Sequence, residues 1–113
     1  METRTVAALA ALGQQVDVPA GSTLTREGEP GREFFVLLDG SAVVERAGAP
    51  VAALGPGDFF GEIALLTRSR RTATVTTMEP SRLLVLGDRA FREATERMPD
   101  LAAHAWAATA ARL

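Results

Sequence analysis

The chain has 113 residues, 47% of them hydrophobic and 23% charged, which suits one folded domain with a single modest core and excludes a disordered segment. Its formal net charge of −2 gives no electrostatic basis for binding DNA or RNA. There is no cysteine and one histidine, His104, so neither a disulfide framework nor a thiolate metal site is available.

The sequence also lacks the features of a membrane or exported protein. Its longest apolar runs, such as Phe34–Leu38, are far too short to span a bilayer. The N-terminus, Met1-Glu2-Thr3-Arg4, does not have the basic and then apolar plan of a signal peptide. We therefore expect a cytoplasmic protein without a membrane segment.

The first part of the chain predicts one helix followed by short strands. Residues 3–12 are rich in alanine and predict a helix that Gly13 ends. Alternation of polar and apolar residues over 14–18 predicts a strand, and Leu24 belongs to a second short one. The apolar run 33–38 is too short for a stable helix and predicts a strand buried on both faces.

The middle of the chain is rich in turns. Asp39-Gly40 predicts a hairpin turn from which 41–45 returns as a strand. Residues 47–50 predict another turn and 51–54 another short strand. Gly55-Pro56-Gly57-Asp58 then breaks the chain sharply.

The last part of the chain predicts two strands and two helices. Residues 73–77 alternate as a strand does, and 82–86 form a last apolar strand. Asp88 is a suitable N-cap for a helix over 88–98, and Pro99 suits the first turn of a helix over 99–113. About eight short strands between helices predict one mainly β domain over 1–113, a β-barrel or jelly roll spanning 14–87.

The stretch Phe60–Val75 offers three kinds of binding group. Gly61 and Glu62 open a short helical turn with free backbone N–H groups and a carboxylate. Arg71 borders a strand, so the direction of its guanidinium should be fixed, whereas Arg68 and Arg70 lie in a solvated loop. The N–H groups and the guanidinium suit a phosphate and the carboxylate suits a sugar hydroxyl, which together predict a pocket for a ribose phosphate.

Each of these residues also has a purely structural interpretation. Gly61 suits a simple turn, and Glu62 in a first helical turn stabilises the helix dipole by roughly 0.3–1 kcal/mol. Arg71 could form a salt bridge to Glu62 or Asp58. The three residues at this spacing therefore indicate a binding site more strongly than any one of them does.

The combination resembles a known family. Phe60-Gly61-Glu62-Ile63-Ala64-Leu65, five further residues and then Arg71-Thr72-Ala73-Thr74-Val75 resemble the phosphate-binding cassette of cyclic nucleotide-binding domains. These occur in catabolite activator transcription factors, kinase regulatory subunits and cyclic-nucleotide-gated channels. The resemblance covers nearly the whole chain, and it implies an eight-stranded jelly-roll β-barrel with one N-terminal helix and two C-terminal helices.

The resemblance implies cAMP or cGMP as the ligand, no cofactor and no catalysis. Arg71 would pair with the cyclic phosphate, and Glu62 would accept a hydrogen bond from the ribose 2′-OH beside the backbone of Gly61. The backbone N–H groups of Ala64 and Ala73 would point at phosphate oxygens.

The same resemblance implies further residues that would contact the ligand. Val43 and Ile63 would help to line the pocket, and Thr72 occupies a position where a hydroxyl is associated with tolerance of cGMP, without settling the base. A residue of the last helix would cap the base; Trp106 and Leu101 are candidates, although a core position for Trp106 is the stronger expectation.

A regulatory role follows from the resemblance. Ligand binding would draw the cassette inward, and a hinge at Arg97-Met98-Pro99 would let the last helix close over the base. The output would lie in an effector domain or partner protein outside this chain. The last helix could also pair with a copy of itself through Ala102, Trp106 and Leu113, as a possible homodimer.

Three other classes compete with this reading. A structural or interaction domain of the same fold that has lost the nucleotide remains open. A cupin-like enzyme is disfavoured, because it needs several histidines and His104, the single one, lies outside the strand pattern. A complete DNA-binding regulator is not expected, because no helix-turn-helix follows residue 98 and the basic charge is lacking.

Overall fold

The computed structural model describes the backbone of residues 3–112 and the side chains of residues 4–108. In chain order the elements are α1 (Thr3–Ala10), β1 (Gln14–Val18), β2 (Thr23–Thr25), β3 (Glu33–Asp39), β4 (Ala42–Arg46), β5 (Ala49–Leu54), β6 (Phe59–Phe60), α2 (Glu62–Thr67), β7 (Thr74–Thr77), β8 (Ser81–Gly87), α3 (Asp88–Arg97) and α4 (Pro99–Arg112).

The eight strands form two four-stranded sheets in which every pairing is antiparallel. The first sheet has the order β1-β8-β3-β6 and the second the order β2-β7-β4-β5. The predicted mainly β jelly roll with helices at both ends is confirmed. The two sheets remain separate, however, and do not close into a continuous barrel.

Strand β3 divides the hydrophobic core into two parts. Phe34 and Val36 face the helices, while Phe35 and Leu37 face the second sheet, so the predicted burial of this strand on both faces is confirmed. The part beside the helices also contains Leu9, Leu65, Leu84, Leu86, Phe91, Ala94, Leu101 and Ala105, and the part between the sheets contains Ala42, Leu54, Phe60, Val75 and Leu83.

The predicted hairpin at Asp39-Gly40 is wrong. Strand β3 pairs with β8 and β6, whereas β4 pairs with β5 and β7, so this turn carries the chain from one sheet to the other. The tight hairpin lies one strand later, at Ala47-Gly48, where both residues have positive φ (52° and 80°). Two such residues match the twist of the flanking strands, as in a type I′ turn.

The helix boundaries differ from the predicted ones at three places. Helix α3 ends at Arg97 instead of residue 98. Helix α1 ends at Ala10 instead of residue 12. Asp88 is the first residue of α3, and the N-cap position belongs to Gly87, with φ −67° and ψ 169°. The Asp88 carboxylate accepts a hydrogen bond from Arg92 at 2.8 Å and does not cap the helix. Helix α4 begins at Pro99, as predicted.

Replacing Gly40 by alanine should destabilise the passage between the sheets. Gly40 has φ +99°, and an added Cβ would lie against Oγ of Ser81 and 2.7 Å from its Cβ. We expect Gly40→Ala to lower the free energy of unfolding by roughly 2–5 kcal/mol, from left-handed backbone strain and overpacking together. Urea unfolding with an unchanged m-value measures this loss.

Gly48→Ala is the matched control for this prediction. Gly48 also has positive φ (+80°), but an added Cβ would meet nothing within 4 Å. Its substitution should cost only the backbone strain, roughly 1–2 kcal/mol. Equal losses in the two variants would contradict the steric role assigned to Gly40.

Candidate functional site

A cavity of about 260 Å³ lies between the β4–β5 hairpin and the segment Gly61–Ala73. Seven predicted site residues line it: Gly61, Glu62, Ile63, Ala64, Arg71, Thr72 and Ala73. Its other lining residues are Thr25, Val44, Arg46, Val51, Ala52, Leu54, Phe60 and Val75. The structure therefore brings the groups of the predicted cassette together around one space.

Helix α2 presents Glu62 to this cavity from its first turn. Gly61 precedes the helix in the left-handed region, with φ 92° and ψ −5°. An added Cβ at Gly61 would lie 2.7 Å from the carbonyl oxygen of Glu33 and 2.9 Å from Nη1 of Arg71, so only glycine fits there without displacement. The side chain of Glu62 is fully buried, at 0% exposure.

The guanidinium of Arg71 is held in one orientation. Its Nη1 donates to the carbonyl oxygen of Gly61 at 3.0 Å, and its Nη2 donates to that of Glu33 at 2.8 Å. The guanidinium carbon lies 5.9 Å from the centre of the Phe35 ring, within the range of a cation–π contact. Arg71 is only 8% exposed, so the predicted fixed direction is confirmed.

Burial and charge act on Arg71 in opposite directions. Removal from water lowers the pKa of its guanidinium, while the nearby carboxylates of Glu33 and Glu62 raise it. An arginine stays protonated in proteins, so Arg71 places a buried positive charge at the cavity. A guanidinium has five N–H donors, and within the described part of the chain two of them meet the carbonyls of Gly61 and Glu33.

The backbone around Arg71 is clamped by the turn at residues 26–31. The N–H of Gly28 donates to the carbonyl of Arg71, and the N–H of Arg71 donates to that of Glu29, both at 2.8 Å. Arg70 is exposed, but its Nη1 donates to the carbonyl of Gly28 at 3.0 Å. Arg70 therefore contributes to this clamp and is not a purely solvated loop residue. Arg68 is exposed.

The structural alternative of an Arg71–Asp58 salt bridge is not what the structure shows. Asp58 accepts a hydrogen bond at 2.8 Å from the backbone N–H of Gly55 and so stabilises its own turn. The hydrogen bonds of Arg71 end on backbone carbonyls. An arginine bonded to backbone carbonyls keeps its positive charge, and this arrangement is compatible with binding an anionic ligand.

The structure does not place Val43 at the cavity. On β4 the buried Ala42 and the cavity-lining Val44 share one face, and Val43 points to the opposite one because successive strand residues alternate. Val44 therefore takes the position predicted for Val43.

The predicted capping residues also lie elsewhere. Trp106 is 53% exposed on α4 and does not line the cavity, so the expected core position for it is wrong as well. Leu101 is fully buried in the core beside the helices. His104 is exposed. Of the proposed dimer stripe, Ala102 is half-buried, while the side chain of Leu113 lies outside the described residues.

Several lining residues were not predicted from the sequence. Alternation from Ala42 through Val44 could have indicated Arg46 as a third residue on the same face of β4. The sequence contains no signal for Val51. The register of β4 and β5 shifts between Val44 and Glu45, and this shift leaves Val51 as an extra residue on β5. This bulge lets both Val51 and the adjacent Ala52 line the cavity.

The family model described as cyclic nucleotide-binding domain matches residues 15–98. This chain therefore belongs to the cyclic nucleotide-binding domain family. In this family such domains are regulatory and not catalytic.

Individual relatives agree with this assignment. The cyclic nucleotide-gated potassium channel mll3241 of Mesorhizobium japonicum is 41% identical over 85 residues, 75% of this chain and 23% of that protein. A cAMP-dependent protein kinase regulatory subunit of Pyricularia oryzae is 40% identical over 76 residues, 66% of this chain and 20% of the subunit. The catabolite activator protein of Thermus thermophilus superposes with a TM-score of 0.82 at 29% identity, covering 99% of this chain and 55% of that structure.

The chain thus spans about a quarter or less of the length of these two curated relatives. Within the residues that the structure describes, no helix is long and apolar enough to cross a bilayer.

The packing of Gly31 against Arg71 generates a prediction about stability. A Cβ added to Gly31 would lie 2.7 Å from both Cδ and Cζ of Arg71. We expect Gly31→Ala to lower the free energy of unfolding by roughly 1–3 kcal/mol, because the held guanidinium cannot move away freely. In the Arg71→Ala background, which removes the obstructing atoms, the same substitution should cost less than about 0.5 kcal/mol. Urea unfolding of the four proteins measures the coupling, and an equal cost in both backgrounds would refute this packing.

Proposed function

We propose that this domain binds a cyclic nucleotide, cAMP or cGMP, in the cavity between the β4–β5 hairpin and Gly61–Ala73, and that binding is transmitted to its C-terminal helices. The observation that carries the proposal is the convergence of a buried guanidinium, Arg71, and a buried carboxylate, Glu62, on one cavity in a member of this family.

Arg71 is the residue to which we assign the phosphate. The cyclic phosphate has one negative charge, and a guanidinium that donates to two carbonyls keeps further N–H groups with which it can meet phosphate oxygens. Because the guanidinium is already oriented by two carbonyls, little side-chain entropy is lost on binding. The backbone N–H groups at the start of α2, including that of Ala64, and the backbone of Ala73 border the same cavity.

Glu62 is the residue to which we assign the ribose. A carboxylate only accepts hydrogen bonds, and a ribose 2′-OH can donate one to it. The side chain belongs to the same helical turn that begins beside Arg71, so phosphate and ribose are recognised by one short segment. The apolar residues Val44, Val51 and Leu54 on the opposite wall suit a purine face.

Transmission to the C-terminal helices has a physical route. Leu65 of α2 belongs to the same buried cluster as Leu101 and Ala105 of α4. A movement of α2 toward a bound phosphate changes the packing of these side chains, and a close-packed core responds by repositioning α4. The exposed Trp106 on α4 is then available to close over the base or to contact a partner.

The receiver of the signal lies outside the described domain in this proposal. An effector domain of a longer protein, a separate partner protein and a second copy of the chain are all compatible with an exposed face on α4. The alternative function is a structural or interaction domain that does not bind nucleotide; the presence of both Arg71 and Glu62 at the cavity favours binding.

Arg71→Ala should weaken nucleotide binding by roughly 2–5 kcal/mol, because a buried charge pair with the phosphate is lost. Isothermal titration calorimetry with cAMP and cGMP measures the change. Arg68→Gln is the matched control, since Arg68 is exposed and does not line the cavity, and its affinity should stay within about twofold of the unaltered chain. A loss below tenfold in Arg71→Ala would show that this cavity is not the binding site, and no response of the unaltered chain to millimolar ligand would favour the non-binding alternative.

The assignment of Glu62 to the ribose is tested by removing the 2′-oxygen of the ligand and altering Glu62, separately and together. For the unaltered chain, 2′-deoxy-cAMP should bind more weakly than cAMP by roughly 1.5–3 kcal/mol, the contribution of a hydrogen bond to a charged group. In Glu62→Gln the difference should fall to roughly 0.5–1.5 kcal/mol, since the amide oxygen is a neutral acceptor. The same difference in both proteins would remove Glu62 from the ribose site.

A further inference from the structure

A second cavity lies behind the cassette, between the turn at residues 30–32, the loop at residues 68–70 and the first turns of α3. Its volume is about 460 Å³, compared with about 260 Å³ for the proposed nucleotide cavity. Helix α2 separates the two, because Glu62 lines the nucleotide cavity, Leu65 lines the second cavity and Ala64 lines both. The proposed function gives this second cavity no role.

The charges that line this second cavity are mainly positive, and we call it the arginine groove. Among the described residues, its charged lining consists of four guanidiniums and one carboxylate: Arg32, Arg68, Arg70, Arg92 and Asp88. Glu29 and Glu33 line a neighbouring cavity, which Arg32 also borders. The groove thus gathers four of the chain's twelve basic residues in a protein whose net charge is −2. Such a local excess of one charge attracts a ligand of the opposite charge.

Contacts within the chain offset only part of this positive charge. Nε of Arg92 donates to the carboxylate of Asp88 at 2.8 Å, so the one carboxylate of the groove is already paired. Nη1 of Arg70 donates to a backbone carbonyl at 3.0 Å, which orients the guanidinium without neutralising it. The ion pairs formed within the described part of the chain include neither Arg32 nor Arg68, and both residues are exposed.

The chemistry of the groove indicates the kind of anion that it suits. Guanidiniums bind carboxylates in a planar, bidentate geometry. Part of the wall between the arginines is apolar and consists of Pro30, Ala64 and Leu65. An inorganic anion has no apolar surface with which to cover this wall, whereas a glutamate side chain has methylene groups below its carboxylate. The groove therefore suits several glutamate side chains together, as an acidic segment of a protein would supply them.

We propose that the arginine groove binds a glutamate-rich segment of a partner protein. The proposal does not rest on the proposed function, because the groove lies on the other side of α2 from the nucleotide cavity. The net charge of −2 disfavours a nucleic acid, whose phosphates would extend beyond the groove along the rest of the surface. The groove borders both the cassette and α3, so a partner bound there contacts the two parts of the domain at once.

The first test measures the binding of fluorescein-labelled octaglutamate to the unaltered chain by fluorescence anisotropy, without nucleotide. We expect binding at low ionic strength that weakens as sodium chloride is added, because exposed charge pairs are screened by salt. Labelled octaglutamine, which has the same shape without the charge, should not bind. Tripolyphosphate and an oligothymidylate are added as competitors, and each should displace the probe less effectively than unlabelled octaglutamate does.

The second test is the double variant Arg32→Gln/Arg68→Gly, with thermal unfolding measured on the same sample. Arg68 has φ 52° and ψ 39°, a conformation that glycine adopts at little cost, so the fold should be retained. We expect octaglutamate to bind roughly 2- to 25-fold more weakly, the combined range for two exposed charge pairs. Arg4→Gln/Arg82→Gln removes the same charge from exposed residues outside the groove and should change the affinity less than about 1.5-fold.

Each outcome decides the proposal. Absence of octaglutamate binding at low ionic strength overturns it, as does an equal weakening in the two double variants, which would show attraction to the overall charge and not to the groove. Stronger displacement by tripolyphosphate or by the oligothymidylate assigns the groove to a phosphate ligand and also overturns the proposal. Nucleotide binding is measured separately with cAMP and cGMP, so a failure here leaves the proposed function standing, and the reverse also holds.

Discussion

The buried guanidinium of Arg71 is the constraint on which the arrangement of the site depends. A charge taken out of water must be compensated, and here two backbone carbonyls, those of Gly61 and Glu33, accept its hydrogen bonds while the ring of Phe35 lies against it. Those carbonyls belong to the start of α2 and to β3, so the guanidinium joins the cassette helix to a central strand. Gly31 and Gly61 leave room for this approach, because a side chain at either position would occupy the space of Arg71.

Strand β3 connects this polar arrangement to the rest of the fold. Its residues pack alternately on the helices and on the second sheet, with Phe34 against Phe91 at 4.7 Å between ring centres and Phe35 stacked on Phe60 at 4.8 Å. The strand that supplies a carbonyl to Arg71 is therefore held on both faces by apolar packing. The proposed transmission would therefore run from the cassette through the packing of Leu65 against the C-terminal helices, and not through this strand.

Individual positions show which features of the structure could be predicted from the sequence. The fixed direction of Arg71 followed from its place before a strand, and the structure confirms it. The start of α4 at Pro99 followed from the fixed φ of proline. The hairpin expected at Asp39-Gly40 was wrong, because a local turn signal does not specify which sheet the next strand joins. Val43 was one residue out of phase, since the pattern of β4 alone did not reveal which of its faces is buried.

The sequence by itself determined the family and the order of the elements other than β6, because these depend on local composition and on fixed spacings along the chain. Only the tertiary structure decided which side chains meet across the cavity. The bulge that turns Val51 and Ala52 to the same space, the position of Arg46 opposite the cassette and the exposure of Trp106 all depend on strand register and helix docking. Register and docking are set by contacts between residues far apart in the chain, for which no short stretch of sequence contains the signal.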